Sequence, residues 1–310
     1  MVQRRAFLEL LATGACALAA GGCGRSSAER SAPGSNKEAA MTTQTTIDPS
    51  GAGRMPVMFA GHGSPMNVIE DNRWSRGFTE LGRLVRKPKA ILAVSAHWFV
   101  RGIYLTANPR PRTIHDFHGF PKALFEIEYP AAGKPELAQR VASLLGSGAA
   151  PSHDWGFDHG TWGVLRAMFP AADVPVIQLS IDQRLSPQQH FDLGRSLAPL
   201  RDEGVLILGS GNIVHNLRDA IGRMQSGSQE TPDWALRFDT ATKKALEQHD
   251  AQALLKLWPS GDGQLAHPSP DHFFPLLYAL GASSDGDRVR FPAEGFDLGS
   301  VSMRNVIWGS

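Results

Sequence analysis

The chain has 310 residues, 31 Lys and Arg against 30 Asp and Glu, a net charge of +1 and 42% hydrophobic residues. This balanced charge excludes the basic surface expected of a protein that binds nucleic acid. The hydrophobic content excludes a wholly disordered chain. A chain of this length buries enough apolar surface to be stable without disulfides or a structural metal. The composition therefore predicts a globular body.

Residues 1–23 have the pattern of an export signal. An arginine pair at positions 4 and 5 precedes an apolar run, residues 10–20, that is too short to cross a bilayer comfortably. The pair followed by Phe-Leu resembles a twin-arginine signal, and a periplasmic or envelope-associated protein is expected. Cys23 resembles a lipoprotein cleavage site that would carry a lipid anchor, although Ala20 stands where such sites usually have leucine. The alternatives are plain signal cleavage nearby and an uncleaved tail.

Residues 24–54 separate this segment from the body. They are rich in Ser, Thr, Ala and Gly and contain no aromatic residue, which predicts a flexible linker. Both cysteines, Cys16 and Cys23, precede the linker, so the body at residues 55–310 contains none. This distribution excludes disulfides, thiolate metal sites and a cysteine nucleophile in the body.

In the body, apolar runs alternate with helical patterns. The runs predict strands at Val57–Ala60, Ile91–Ser95, Val174–Ile181 and Val205–Leu208, with further strands at Val289–Pro292 and Ser300–Trp308. Helices are predicted over Trp74–Val85, Pro135–Leu145, Thr161–Met168, Pro187–Leu200 and Asp233–Glu247. This alternation predicts the α/β class, a single domain with a central mixed β-sheet flanked by helices.

All eleven histidines lie in the body, and three of them come just after predicted strands. His62 follows the first strand, His97 the second and His215 the strand at 205–208. Ligands of open α/β sheets bind in the crevice beyond the carboxyl ends of the strands. The three histidines are therefore predicted to meet at one site.

Two further histidines are candidates for the same site. His272 follows Ser269, a predicted N-cap, and so lies in a first helical turn, where the helix dipole favours the neutral, metal-binding imidazole. His159 is flanked by glycines that permit close backbone approach. Nearby aromatic residues are expected to wall an aromatic substrate; they are Trp155, Phe157 and Trp162.

The remaining histidines have plainer interpretations. Buried histidines are more often hydrogen-bonded core residues than ligands, which is the expectation for His153, His190 and His249. His115 and His118 fit either a mobile lid or an ordinary loop, and His267 precedes a helix cap. The sequence has no His-Glu-x-x-His helix and no Gly-x-Ser-x-Gly elbow.

A series of motifs runs in order from about Met55 to the C terminus. They are Gly61-His62-Gly63-Ser64-Pro65-Met66, Val94-Ser95-Ala96-His97-Trp98, Thr113-Ile114-His115-Asp116-Phe117, Gly119-Phe120-Pro121, Trp155-Gly156-Phe157-Asp158-His159-Gly160, Gly209-Ser210-Gly211-Asn212, Val214-His215-Asn216 and His272 with Pro275-Leu276-Leu277. Together they resemble the 4,5-DOPA extradiol dioxygenase family, the ring-opening dioxygenases related to protocatechuate 4,5-dioxygenase.

The resemblance implies a single non-haem metal that binds a catechol such as DOPA and reacts it with O2. His62, His97 and His272 match the metal ligands of the family, with Asp271 as an alternative carboxylate ligand. His215 matches the acid–base histidine and is also a candidate ligand in the substrate-free site. His159 matches a second histidine that handles protons or contacts the substrate.

The resemblance further implies Fe(II) for turnover, whereas the divalent affinity order favours Zn(II) in the protein as isolated. Two other functions are compatible with the same histidines. One is a zinc hydrolase that activates water, and the other is a non-catalytic envelope protein that binds a metal or a catechol.

Overall fold

The structure, a computed structural model, describes residues 53–228, 230–259 and 261–309. The predicted export signal and nearly all of the predicted linker lie outside the described residues, so export and lipid anchoring stay predictions. Across the described ranges, no helix combines the length and apolar character needed to cross a membrane.

Strands and helices alternate through most of the described chain. The strands are β1 (Val57–Gly61), β2 (Ala90–Val100), β3 (Ile103–Thr106), β4 (Ala149–Ser152), β5 (Val176–Asp182), β6 (Val205–Gly211), β7 (Arg288–Arg290), β8 (Phe296–Asp297), β9 (Val301–Ser302) and β10 (Val306–Gly309). The helices are α1 (Arg73–Arg83), α2 (Lys122–Phe125), α3 (Pro135–Leu145), α4 (His159–Met168), α5 (Pro187–Leu197), α6 (Leu217–Ser226), α7 (Asp233–Glu247), α8 (Ala251–Leu257), α9 (Asp262–Ala266) and α10 (Phe274–Ala282). Short 3₁₀ turns are formed by Pro65–Val68, Ala198–Arg201 and Pro270–His272.

Most of the strands form one mixed sheet in the order β4-β3-β5-β2-β6-β1-β10-β7. The four central strands, β5, β2, β6 and β1, are parallel to one another. Strand β10 adds to β1 in the antiparallel direction, and β7 adds to β10 in the same way. The predicted α/β class and the mixed sheet are confirmed.

Both faces of the sheet are buried, which explains why the strands read as continuous apolar runs. Along β1, Val57 and Phe59 pack into one core, whereas Met58 and Ala60 pack into the other. The first core includes residues of α3, α5, α7 and α10, and the second includes residues of α1 and α4. Helices thus cover the two faces and leave the ends of the strands to form a site.

Several boundaries differ from the sequence predictions. The strand predicted over Ser300–Trp308 is divided into β9 and β10, and the helix predicted to end at Leu200 ends at Leu197. Two further differences concern the histidines of the site. Strand β2 does not end at Ser95 but runs to Val100, so His97 lies within the strand rather than beyond it. The register against β5 shifts between Val94 and Phe99, an irregularity of the kind that re-aims side chains near sites. Helix α4 begins at His159 rather than Thr161, because the side chain of Asp158 caps it.

A buried arginine, Arg201, links the residue before β1 to the end of α10. Arg201, only 1% exposed, donates from Nε to the carbonyl of Met55 at 2.7 Å and from Nη1 to the carbonyl of Ala282 at 3.1 Å. It also pairs with both carboxylate oxygens of Asp287, at 2.6 and 2.8 Å. Met55 precedes β1 and Ala282 ends α10, so this one side chain links two elements that lead to the histidine cluster.

We expect Asp287→Ala to lower the free energy of unfolding by about 3 to 5 kcal/mol, because it leaves a buried guanidinium without its counter-ion. Urea denaturation measures the loss. Glu126→Gln, which breaks the exposed pair with Lys122, is the control and is expected to cost about 0.5 kcal/mol or less. A cost for Asp287→Ala no larger than that of the control would contradict the linking role.

Candidate metal centre

His62 leaves the end of β1 beside Ser210 of the parallel neighbour β6. The hydroxyl of Ser210 donates to the carbonyl of Gly160 at 2.5 Å. Its oxygen therefore accepts from Nδ1–H of His62 at 3.0 Å, which fixes the tautomer. Nε2 of His62 is left with its lone pair available for a ligand.

A single carboxylate holds two more of the histidines. Oδ1 of Asp116 accepts from both Nδ1 and the backbone N–H of His159, each at 2.9 Å. Its Oδ2 contacts Nδ1 of His97 at 3.2 Å. The rings of His97 and His159, which come from β2 and α4, consequently lie 4.0 Å apart between centroids.

His272 is held by its sequence neighbour. Nδ1 of His272 donates to Oδ2 of Asp271 at 2.8 Å, so the predicted alternative ligand Asp271 orients the His272 ring in this structure. The His272 ring is stacked on that of His215, with 3.4 Å between centroids and 6° between planes. The turn that carries His272 packs tightly against β6, where Gly211 leaves no room for a Cβ beside the His272 carbonyl.

Four histidines therefore share one arrangement, with Nδ1 anchored to an oxygen and Nε2 left for a ligand. They are His62, His97, His159 and His272. Nε2 of His62 lies 3.1 Å from Nε2 of His97. Two nitrogens on one tetrahedral ion at about 2.1 Å would be separated by about 3.4 Å, so this spacing fits a shared metal. Anchoring of the second ring nitrogen is the usual support of metal-binding histidines.

His159 and His272 are both candidates for a third ligand position beside His62 and His97. The ligand nitrogens of His62, His97 and His159 all lie within 4.8 Å of one another. The His272 ring lies 5.2 Å from that of His62 and 5.1 Å from that of His97, between centroids. The corresponding distances for His159 are 5.7 and 4.0 Å. The cluster brings together every histidine that the sequence predicted for the site.

Burial sets the protonation of the cluster. It lowers the pKa of His62, His97 and His215 well below the usual value, and the neighbouring histidines lower it further. These rings are therefore neutral at neutral pH, the form that binds metals. Burial also lowers the pKa of His159, but the carboxylate of Asp116 outweighs it and the pKa is raised. His159 is thus better suited to hold a proton than His62, His97 or His215.

A cavity of about 310 Å³ opens beside the histidines. Its aromatic wall is formed by Phe99, Phe117 and Phe120. The prediction that residues around His159 would form this wall is wrong, since Phe157 and Trp162 are fully buried in the core and Trp155 stacks on Trp98 at 5.2 Å. Closeness to His159 in sequence therefore does not bring these aromatic residues to the cavity, because Phe157 and Trp162 pack into the core and Trp155 packs on Trp98.

The other histidines lie outside the cluster. His190 is buried and bonded to the hydroxyl of Tyr278 at 3.0 Å, which confirms its core role. His153 is exposed, so the same expectation is wrong for it, and His249 is half-buried.

His267 is buried, with Nε2 2.7 Å from the carbonyl of Ile213, and burial lowers its pKa to about 4. His115 bonds the carbonyl of Ile127 at 2.9 Å, and His118 is exposed.

Sequence reasoning did not assign roles to the two side chains that orient most of the cluster. Ser210 lies in a Gly-Ser-Gly segment that ends β6, and Asp116 lies in the loop between β3 and α2. The signal for Asp116 was its position next to His115 in one of the motifs. The motif does not identify its partners, because the carboxylate contacts His97 and His159, which are distant in sequence.

A histidine cluster at the carboxyl ends of parallel strands, opening into an aromatic-walled cavity, defines a candidate mononuclear metal enzyme. Residues 56–306 match the family model of the catalytic LigB subunit of aromatic ring-opening dioxygenase. Because that match spans most of the chain, the protein belongs to this family, and it is an extradiol ring-opening dioxygenase that uses a metal.

Named relatives agree with the family assignment. The chain is 47% identical over 265 residues to the 4,5-DOPA dioxygenase extradiol of Escherichia coli K12, covering 82% of this chain and 94% of that protein. It is 38% identical to the protein of the same name from Beta vulgaris, covering 79% and 92%. The crystal structure of an uncharacterized protein from Escherichia coli K12 superposes with a TM-score of 0.72 at 43% identity, covering 83% of this chain and all of that one.

We expect Asp116→Ala to weaken Zn(II) binding by about 10- to 100-fold, because His97 and His159 both lose the acceptor that orients them. Competition with a chromogenic chelator measures the affinity. Glu128→Gln removes a charge from an exposed position after α2 and serves as the control. Equal zinc affinities in the two variants would show that Asp116 does not support the metal centre.

Proposed function

We propose that the protein cleaves the ring of a catechol such as DOPA next to its hydroxyl-bearing carbons, consuming O2, at a mononuclear metal centre. The observation that carries the proposal is the set of anchored histidines with ligand nitrogens facing one aromatic-walled cavity. Relatives from Escherichia coli and Beta vulgaris bear the name 4,5-DOPA dioxygenase extradiol, which supports the substrate class.

In this proposal, His62, His97 and His272 hold the metal. The bound metal would act as a Lewis acid for the catechol oxygens and bring O2 beside the ring. Fe(II) is proposed for turnover, whereas the divalent affinity order favours Zn(II) in the protein as isolated. Three neutral imidazoles also suit zinc, which keeps a zinc hydrolase as the competing function.

His215 and His159 are proposed to move protons. The His215 ring stacks on that of His272 and lines the cavity, beside the proposed ligand set. We expect its ring nitrogens to reach a hydroxyl of the bound catechol. A ring nitrogen of His215 would accept that proton and later return it. His159 donates a hydrogen bond from Nδ1–H to Asp116, which leaves Nε2 available to a substrate in the cavity. Phe117 and Phe120 help to exclude water from the cavity.

Anaerobic loading with Fe(II), followed by exposure to O2 and a catechol, tests the proposal. We expect oxygen uptake in an electrode to match the appearance of a yellow ring-opened product from DOPA. Absence of uptake with every member of a catechol panel, with one metal bound per chain, would refute it. Turnover of an ester or amide without O2 would favour the zinc hydrolase instead.

His215→Ala separates the two roles considered for this residue. We expect the variant to retain its metal and to lose about 100- to 10,000-fold in kcat, the range for removal of a general acid or base. Metal analysis and oxygen uptake are measured on the same preparation. His118→Ala, at an exposed position, is the matched control. Loss of metal together with activity would make His215 a ligand rather than an acid–base residue.

A further inference from the structure

The cavity beside the histidines contains a carboxylate that the proposed ring-opening steps do not use. Three aspartates line this cavity, and two of them, Asp116 and Asp271, hold the histidines of the metal centre. The third, Asp297, instead accepts a hydrogen bond from the backbone N–H of Leu298 at 3.1 Å. Its carboxylate is therefore available to a molecule in the cavity.

Strand pairing determines where Asp297 lies relative to the reacting groups. Asp297 of β8 pairs directly with Val301 of β9, and Val301 forms an antiparallel bridge with His215. Directly paired residues present their side chains to the same face. All three residues line the cavity accordingly. Two strand spacings separate the backbone of Asp297 from that of His215, a distance of about 10 Å.

The surroundings of Asp297 favour a positively charged ligand. Among the described residues that line the cavity there is neither Lys nor Arg, and the neighbours of Asp297 there are apolar, with Leu298 and Val301 closest along the hairpin. Burial raises the pKa of Asp297, and the charge of Glu70 adds to this effect. The hydrogen bond from the backbone N–H of Leu298 and the charge of Arg73, which lies outside the cavity, oppose it. A cation beside the carboxylate would stabilise its ionised form, whereas an anion would be repelled.

We propose that Asp297 binds the ammonium group on the side chain of the catechol, so that the preferred substrates are catechols with a primary amine. A side chain of two carbon atoms carries the ammonium away from the metal-bound hydroxyls and toward the β8–β9 hairpin. The cavity offers no described cation for a carboxylate on the same side chain. The inference rests on the proposed function for the orientation of the catechol ring.

Anaerobic calorimetry on the zinc-loaded full chain tests this assignment without turnover. The probes are dopamine, 4-methylcatechol and 3,4-dihydroxyphenylacetate, which carry a cationic, a neutral and an anionic side chain. In the wild type we expect the order of affinity dopamine, then 4-methylcatechol, then 3,4-dihydroxyphenylacetate. Asp297→Asn should weaken dopamine about tenfold, the equivalent of about 1.4 kcal/mol, and leave 4-methylcatechol within about twofold.

Two further variants make the result specific. Glu70→Gln removes a nearby negative charge outside the cavity and should leave the ratio of dopamine to 4-methylcatechol affinity unchanged. Asp297→Glu should keep the preference for dopamine. The proposal fails if the wild type binds dopamine no more tightly than 4-methylcatechol, or if Asp297→Asn weakens both equally. Because binding is measured, failure of ring opening appears separately, as normal selectivity without oxygen uptake.

Discussion

The candidate metal centre depends above all on one carboxylate, that of Asp116. It accepts two hydrogen bonds from His159 and lies 3.2 Å from Nδ1 of His97, and these contacts compensate the cost of burying its charge. Although burial raises the pKa of Asp116, the two histidines hold it well below the usual value. The carboxylate therefore stays ionised, and it fixes rings from a strand and a helix at a separation of 4.0 Å. Without it, neither ring would have a fixed tautomer or orientation.

The arrangement also needs backbones that approach one another closely. A Cβ on Gly160 would lie 2.6 Å from Oγ of Ser95 and 2.9 Å from Cδ2 of His97, which is closer than atoms can pack. The start of α4 can therefore approach β2 only with glycine at this position. The carbonyl of the same glycine receives the Ser210 hydroxyl, which in turn fixes His62. Gly160 thus both permits the close packing of α4 on β2 and, through Ser210, fixes the tautomer of His62.

The sequence predicted those features of the fold and the site that depend on local residue patterns. Apolar runs located β1 and β6, and hence the positions of His62 and His215 near their ends. It misplaced the end of β2, because the apolar β-branched run ends at Val94 although the strand continues through Ser95 and Ala96, which are buried in the sheet. The partners of Asp116 could not be predicted, since Asp116 lies in a loop that meets β2 and α4 only in the folded chain. The roles of His272 and His159 as ligand or proton carrier came from the resemblance and stay predictions.

The reacting groups and the specificity group lie on different elements. The histidines are held by the central strands, α4 and the turn before α10, all of which are buried on both sides or packed against the sheet. Asp297 lies on the short β8–β9 hairpin, which joins this framework through the bridge between Val301 and His215. A change at Asp297 therefore alters the charge met by the substrate side chain without touching a ligand nitrogen. If Asp297 binds the substrate side chain as proposed, selection among catechols depends on the charge and shape of the outer cavity rather than on the histidines.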